Sequence, residues 1–316
     1  MLPTQSQIED AARIVYEAML PTAQHCWPLL SERVGTEVWL KHENHGPVGA
    51  FKIRGGLVYF RRLREQGRPA GVITATRGNH GQAIGLAARR EGIPATICVP
   101  HGNSLSKNRA MRSFGVTLIE RGRDFEEARQ EARHRAEAEG LHYVPSFHPW
   151  LVQGNATYSY ELFQAVDAID VAYVPIGLGS GICGMCAARE ALGRKTEIVG
   201  VVSAHAAAYY DSFAQRRAIS RPAETKIADG VAVPVPDPDA LELIWRYVSR
   251  VVMVTDAEVE GAMRAIFDDT GNVAEGAGAA GVAAILKDKD QLRGKRVATV
   301  VTGGNVDREV LARVLR

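Results

Sequence analysis

Pro47-Val48-Gly49-Ala50-Phe51-Lys52-Ile53-Arg54-Gly55-Gly56 sets one lysine beside an aromatic ring and between small residues. A strand-like run, Glu37 to Glu43, precedes the stretch, and a helix-like run, Leu57 to Arg64, follows it. A lysine at a strand-to-helix junction is most often a solvated charge. The alternative is a Schiff-base lysine, held where burial lowers its pKa and leaves the free amine nucleophilic. The residues on either side of the stretch decide between the two.

Upstream, Ser6-Gln7-Ile8-Glu9 fits a capping box, and Ile8, Ala11, Ala12, Val15 and Met19 follow at helical spacing up to Pro21. Downstream, short apolar runs alternate with helical segments. Strands are expected at 71–75, 95–99, 116–119 and 141–144, with helices at 79–90, 104–114 and 125–139 between them. After Phe147-His148-Pro149 the pattern resumes. Strands are expected at 171–176, 197–202, 250–254 and 296–301, and helices at 184–192, 257–268 and 277–286. The proline-rich segment 221–239 reads as a long loop. Short apolar strands separated by helices predict parallel sheets with helices on their faces. The paired charges of 125–139 read as a solvated helix face. The expected division is one lobe of residues 1–69 plus 148–316 and a smaller lobe of 70–147.

The chain has 316 residues, 46% hydrophobic and 23% charged, which is enough for two α/β domains with real cores. Its formal charge of +2 supplies no basic field for nucleic acid. No apolar run approaches the roughly 20 residues that span a bilayer, so no membrane partner is expected. Met1 to Asp10 lacks the pattern of a signal peptide, and a cytoplasmic protein is expected. The four cysteines are Cys26, Cys98, Cys183 and Cys186. The lone C-x-x-C at Cys183-Gly-Met-Cys186 is a weak zinc or redox signal and reads as two small residues buried in a helix.

Three turns share one layout of strand, small or polar residues, then helix. They are Thr76-Arg77-Gly78-Asn79-His80-Gly81-Gln82, Gly177-Leu178-Gly179-Ser180-Gly181 and Thr302-Gly303-Gly304-Asn305. In a parallel sheet such turns lie at the carboxyl ends of strands, where ligands bind. The helix that follows offers free N–H groups and positive dipole to a phosphate or carboxylate. Gly179-Ser180-Gly181-Ile182-Cys183-Gly184 also fits G-x-G-x-x-G, and a dinucleotide-binding oxidoreductase is the distant alternative. That reading needs an acid about 20 residues on, at the end of the next strand. The strand ends Gly200-Val201-Val202-Ser203 instead. His80 is either a general base or a residue that orients its turn; the second is favoured, because Lys52 is the better proton carrier. Glu275, in Ala274-Glu275-Gly276-Ala277-Gly278, is a helix cap or a supporting carboxylate.

Lys52, the Asn79 turn, the Gly177 turn and Thr302 come in the order found in a known family. The chain resembles the fold-type II pyridoxal-phosphate enzymes, specifically the threonine/serine dehydratase and serine racemase group, over nearly its whole length. Pro47 to Gly56 is similar to the P-x-G-S-F-K-x-R-G-A pattern around the cofactor lysine. Thr76 to Gln82 is similar to the S-x-G-N-H-x-Q loop. Ala228-Asp229-Gly230-Val231 and Thr302 to Asp307 also match. The resemblance implies two parallel-sheet α/β domains, tryptophan synthase β-like, with pyridoxal 5'-phosphate in the cleft between them. It implies that Lys52 binds the cofactor and moves the α-proton, that Phe51 packs on the ring, and that Asn79 meets its 3'-oxygen. Gly177, Leu178, Gly179, Ser180 and Gly181 would hold the phosphate, Thr302 the ring nitrogen, and Glu275 a place in the cofactor site. Thr76, Arg77, Gly78, Asn79 and His80 would bind the substrate carboxylate. The implied reaction is dehydration of threonine, serine or a bulkier analogue such as phenylserine to a 2-oxo acid and ammonia, by a homodimer acting on a small-molecule amino acid.

Four departures qualify the resemblance. Arg77 stands where a racemase needs a second acid/base serine, and a guanidinium does not give up its proton, so a racemase is the disfavoured alternative. Ser203, Ala207 and Tyr209 stand where family members place a divalent cation, without the carboxylates such an ion wants, so no metal is expected. The phosphate turn is Gly-Leu-Gly-Ser-Gly rather than an unbroken glycine run. Ala50 and Thr76 replace serines. Gly81 is expected to leave room for a bulky substrate side chain. No regulatory domain is expected after the last helix.

Overall fold

The computed structural model describes residues 1–316. The chain opens with α1 (Gln5–Tyr16), β1 (Gln24–Cys26), α2 (Pro28–Val34), β2 (Glu37–His42) and α3 (Lys52–Glu65). It continues with β3 (Val72–Ala75), α4 (Asn79–Arg90), β4 (Ala95–Val99), α5 (Leu105–Ser113), β5 (Thr117–Glu120), α6 (Phe125–Glu139) and β6 (His142–Tyr143). Then come α7 (Pro149–Ala165), β7 (Val171–Pro175), α8 (Ser180–Ala191), β8 (Glu197–Ser203), α9 (Ala208–Gln215) and α10 (Pro238–Tyr247). The last elements are β9 (Arg250–Val254), α11 (Asp256–Thr270), α12 (Gly276–Asp288), β10 (Arg296–Val301) and α13 (Arg308–Val314).

Two sheets result. The larger has the order β1-β2-β10-β7-β8-β9, parallel throughout except for β1 at its edge. The smaller, β5-β4-β3-β6, is all parallel. Side-chain alternation explains why the larger sheet carries helices on both faces. Ala172 and Val174 of β7 pack with α7, α8 and α10, while Val171 and Tyr173 pack with α11 and α12. In the smaller sheet Ile73 and Cys98 meet the alanine stripe of α6, Ala128, Ala132 and Ala136. The opposite side of α6 carries the Arg129–Glu126 and Arg135–Glu131 pairs, as expected.

Three details differ from the sequence reading. The first helix is capped two residues earlier, by a capping box of Thr4 with Gln7 rather than Ser6 with Glu9. The two patterns overlap, and the earlier one adds about half a turn while Ile8, Ala11 and Val15 keep their buried face. Second, α7 forms a helix of 17 residues where the sequence pattern predicts none. It is buried nearly all round and so lacks the apolar stripe that marks a surface helix. Third, α3 begins at Lys52 itself, so the lysine occupies the first turn of a helix rather than a loop.

The crossovers bring four strand ends together. The stretches after β2, β3, β7 and β10 lead into the Lys52, Thr76, Gly177 and Thr302 turns, all between the two sheets. Backbone bonds tie two of them: Phe51 N–H donates to Thr302 O at 3.0 Å, and Gly304 N–H to Gly49 O at 2.9 Å.

Candidate active site

Two adjoining cavities fill the space between the turns. The inner one is lined by Phe51, Lys52, Asn79, the run Gly177 to Gly181, Glu275 and Thr302, among others. The outer one shares Lys52, Asn79 and Glu275, and adds Thr76, Arg77, Gly78 and His80. Every residue expected at the site therefore lines one cavity or the other.

Lys52 has no ion-pair or hydrogen-bond partner. Its Nζ lies 4.7 Å from the centre of the Phe51 ring. Burial pushes its ammonium down to about 8, with the Glu275 carboxylate opposing the shift. A fraction of the amine is therefore free near neutrality, which an ordinary lysine does not offer. Phe51 is itself fixed edge-on by Tyr158, whose hydroxyl donates to Gly181 O at 3.2 Å.

The inner end of the cavity is an anion cradle. Gly179, at φ 104°, is the cap of α8, and the first intrahelical bond runs from Cys183 to its carbonyl. The N–H groups of Gly179, Ser180, Gly181 and Ile182 are left without backbone acceptors. They end a helix on the cavity side, where dipole and donors together favour a phosphate. A Cβ at Gly181 would sit 3.4 Å from the Phe51 ring, and one at Gly177 only 2.6 Å from Gly230 O. Asn155 Nδ2 donates to Ser180 Oγ at 3.1 Å and fixes the one hydroxyl of the run. Tyr209, buried beneath, donates its hydroxyl proton to Leu178 O at 3.1 Å and accepts from Asp237 N at 3.0 Å.

The other walls position polar groups. Thr302 offers its hydroxyl to the cavity while its carbonyl holds Phe51. Asn79 Nδ2 donates to Glu275 Oε1 at 2.5 Å, and its Oδ1 accepts from Asn305 Nδ2 at 2.8 Å. Glu275 stands at the cap position of α12 but makes no side-chain cap bond. Burial pushes its carboxyl up against the opposing pull of Lys107 and Asn79. It is a supporting carboxylate of the cavity.

His80 is buried and lies 3.3 Å, through Nε2, from Thr74 Oγ1. Thr74 spends its own proton on Val144 O at 2.9 Å, so His80 Nε2 must be the donor. Burial, then the Lys52 charge, pushes its pKa down to about 3. A neutral ring tied to the β3 wall orients its turn and does not serve as a base at neutral pH.

Gly81 corrects an expectation. A Cβ there would lie 2.5 Å from Thr76 Cγ2 and would also run into Met111 Sδ. The space beside Gly81 is filled by the Thr76 methyl and Met111, so it gives no room to a substrate.

Sequence reasoning gave no role to Lys107 and Asp229, which line the outer cavity and face each other at 3.4 Å across the two lobes. It also missed a buried network behind the lysine. Arg54 meets Glu43 at 2.8 Å and Glu161 at 2.6 Å, and Lys41 meets Glu161 at 2.6 Å. Only the Ala228-Asp229-Gly230-Val231 match pointed toward Asp229; nothing local marked Lys107 or the network.

A family model described as pyridoxal-phosphate dependent enzyme matches residues 16–303. The chain is 35% identical over 313 residues to an L-threonine ammonia-lyase of Thermotoga maritima, covering 99% of this chain and 78% of that protein. It is 31% identical to a biosynthetic L-threonine dehydratase of Haemophilus influenzae, covering 93% of this chain but 58% of the relative. Among solved structures it matches the processed form of threonine deaminase isoform 2 from Solanum lycopersicum, with TM-score 0.91 and 26% identity, covering 98% of this chain and 91% of that one. It also matches maize serine racemase, with TM-score 0.92 and 27% identity, covering 99% and 97%.

Proposed function

The chain belongs to the pyridoxal-phosphate-dependent enzyme family, and from that premise we propose that it is a dehydratase of β-hydroxy-α-amino acids, releasing a 2-oxo acid and ammonia. The observation that carries the reading is Lys52: an unpaired amine with its pKa lowered, set between a helix N-terminus suited to a phosphate and a second one suited to a carboxylate.

The cavity fits the cofactor. The N–H groups of Gly179 to Ile182 would hold its phosphate, the Phe51 ring would pack against the pyridine, Asn79 would meet the ring oxygen, and Thr302 would meet the ring nitrogen. When bound, the cofactor supplies a carbonyl for imine formation and a ring that withdraws electrons from the substrate α-carbon. Thr302 offers a neutral hydroxyl where an acid would protonate the ring, which suits loss of a β-hydroxyl over a long-lived carbanion. Lys52 Nζ takes the substrate α-proton. The α4 N-terminus, with the free N–H groups of Asn79 and His80, binds the substrate carboxylate. Water leaves the β-carbon, and a second water releases ammonia, so the net products are the 2-oxo acid and ammonia.

Threonine and serine are the first substrates to assay. With the Gly81 space filled, a bulkier analogue such as phenylserine would have to lie along Phe125, Ala232 and Val233 of the outer cavity. Racemisation is disfavoured because it needs a second acid/base in the place of Arg77, and a guanidinium does not serve as one. At the Ser203, Ala207 and Tyr209 position we propose no divalent cation: the Tyr209 hydroxyl is already committed to Leu178 and Asp237. Four free cysteines suit a reducing, cytoplasmic setting, and exposed Tyr16, Leu20 and Leu29 suit a homodimer face. The test is direct. Purified protein should be yellow, lose that band on borohydride reduction, and release 2-oxo acid with ammonia from L-threonine or L-serine. Protein that takes up no pyridoxal phosphate, or forms only the D-enantiomer, would overturn the reading.

A further inference from the structure

The substrate wall carries more positive charge than one carboxylate uses. The two oxygens of an α-carboxylate are served by the free N–H groups of Asn79 and His80 at the start of α4. Arg77 lines the same cavity, and its guanidinium has no hydrogen-bond or ion-pair partner. Lys107 reaches in from α5, its stem so close over Gly78 that a Cβ there would lie 2.8 Å from Lys107 Cδ. Its ammonium is 3.4 Å from Asp229, a single long contact. Of the cavity's two carboxylates, Asp229 is thus turned toward Lys107, and Glu275 is held by Asn79. Arg77, an exposed residue of the cavity lining, is left with five donors that no protein group receives.

The methyl of threonine and the hydrogen of serine have no use for a guanidinium at that place. A planar, bidentate acceptor has. We propose that the cleft selects β-hydroxy-α-amino acids with a second carboxylate on the side chain, the distal carboxylate being taken by Arg77. This rests on the dehydratase reading and narrows it to a dicarboxylic substrate. The balance of the reaction is unchanged: the β-hydroxyl leaves as water, ammonia is released by a second water, and the distal carboxylate stays on the 2-oxo product.

The test compares 3-hydroxyaspartate with threonine on the cofactor-loaded enzyme, and Arg77→Gln with wild type. The wild type should show a higher kcat/KM for 3-hydroxyaspartate, mostly through KM, and raised salt should weaken that preference. Arg77→Gln should cut the ratio of the two kcat/KM values by at least about tenfold, the size of one charge-assisted contact. A readout independent of turnover uses two unreactive four-carbon acids. Succinate should bind more tightly than butyrate, and the difference should shrink in Arg77→Gln. A wild type that dehydrates threonine with no preference for the dicarboxylate, and a ratio unmoved by Arg77→Gln, would overturn the inference and leave the dehydratase reading standing. Release of no oxo acid from either substrate would sink the dehydratase reading; equal binding of succinate and butyrate would still sink this one by itself.

Discussion

Lys52 and Arg54 stand two residues apart on the first turn of α3, so they point about 200° apart around the helix. Both are cations withdrawn from water, and their surroundings are opposite. Arg54 is fully buried and donates to Glu43, Glu161, Thr157 and Thr22, so every guanidinium N–H is used. With Lys41 the group sums to two positive and two negative charges. Its geometry holds the guanidinium charged, and burial is outweighed by the two carboxylates. Lys52 faces the cleft with no partner and is pushed toward its neutral form. A buried charge that is answered fixes structure, and one left unanswered is free to react. The network anchors α3 to Glu43, the residue after β2, and to α7, and thereby holds Lys52 where the three turns converge.

The largest effect should come from separating these two roles. Arg54→Met leaves Glu43 and Glu161 buried with only Lys41 to answer them. It should lose about 3–5 kcal/mol of stability, the cost of breaking a buried pair. Lys52→Met removes an amine whose charged form is penalised by burial. It should keep or raise the stability of the cofactor-free protein while abolishing both the yellow band and turnover. Urea unfolding of the two variants beside wild type measures the contrast. Equal stability of Arg54→Met and wild type would break it.

A smaller effect follows from pH. His80 on the cleft wall and His42 at the end of β2 both have folded pKa values far below 6.5, about 3 and about 4, chiefly through burial. A depressed histidine must take up a proton to unfold in acid. Its stabilisation is complete above 6.5 and is lost as pH falls from 6.5 toward the folded value. From pH 7 to pH 5 each should therefore remove about 2 kcal/mol. Glu161 works in another window. Burial pushes it up, but Arg54 and Lys41 outweigh that and hold it lowered, so its contribution is lost only as pH falls below the ordinary carboxylate range. Urea midpoints at pH 7, 6 and 5 report the histidines, and midpoints below pH 4.5 bring in Glu161. A flat profile above pH 5 would show that the histidines are not neutral for the reason given.

The difference between the two regions also explains what could be read from the sequence. Lys52, the Asn79 turn, the Gly177 turn and Thr302 are each marked locally, by glycine next to a strand end, and parallel topology must bring strand ends together. The network has no such mark. Arg54 and Glu161 are 107 residues apart, and Lys41 and Glu161 are 120 apart, so only folding pairs them. Taken one at a time, Glu43 reads as the end of a strand and Glu161 carries no mark in the sequence. The helix that supplies Glu161 was itself unread, because burial on all sides erased its periodicity. Gly81 misled for the same reason: an absent side chain shows in the sequence, whereas the neighbour that fills the gap does not.

The smallest effect tests whether the substrate wall is packed as tightly as the network or left slack for ligands. Gly81→Ala would place a Cβ 2.5 Å from Thr76 Cγ2 and against Met111 Sδ. Thr76 Oγ1 receives the N–H groups of Gly78 at 3.0 Å and Gly81 at 3.3 Å, so its rotamer is fixed and the methyl cannot swing aside. Met111 is flexible and can yield. Overpacking of this kind costs about 1–3 kcal/mol. Thr76→Ser deletes the obstructing methyl and keeps the hydroxyl, so Gly81→Ala in that background should cost less than half as much. The coupling between the two changes is the quantity to measure, since residues in contact depart from additivity. Additive costs would mean that Met111 alone sets the limit. A Gly81→Ala protein as stable as wild type would mean that the wall has slack, and the room once expected beside Gly81 would be restored.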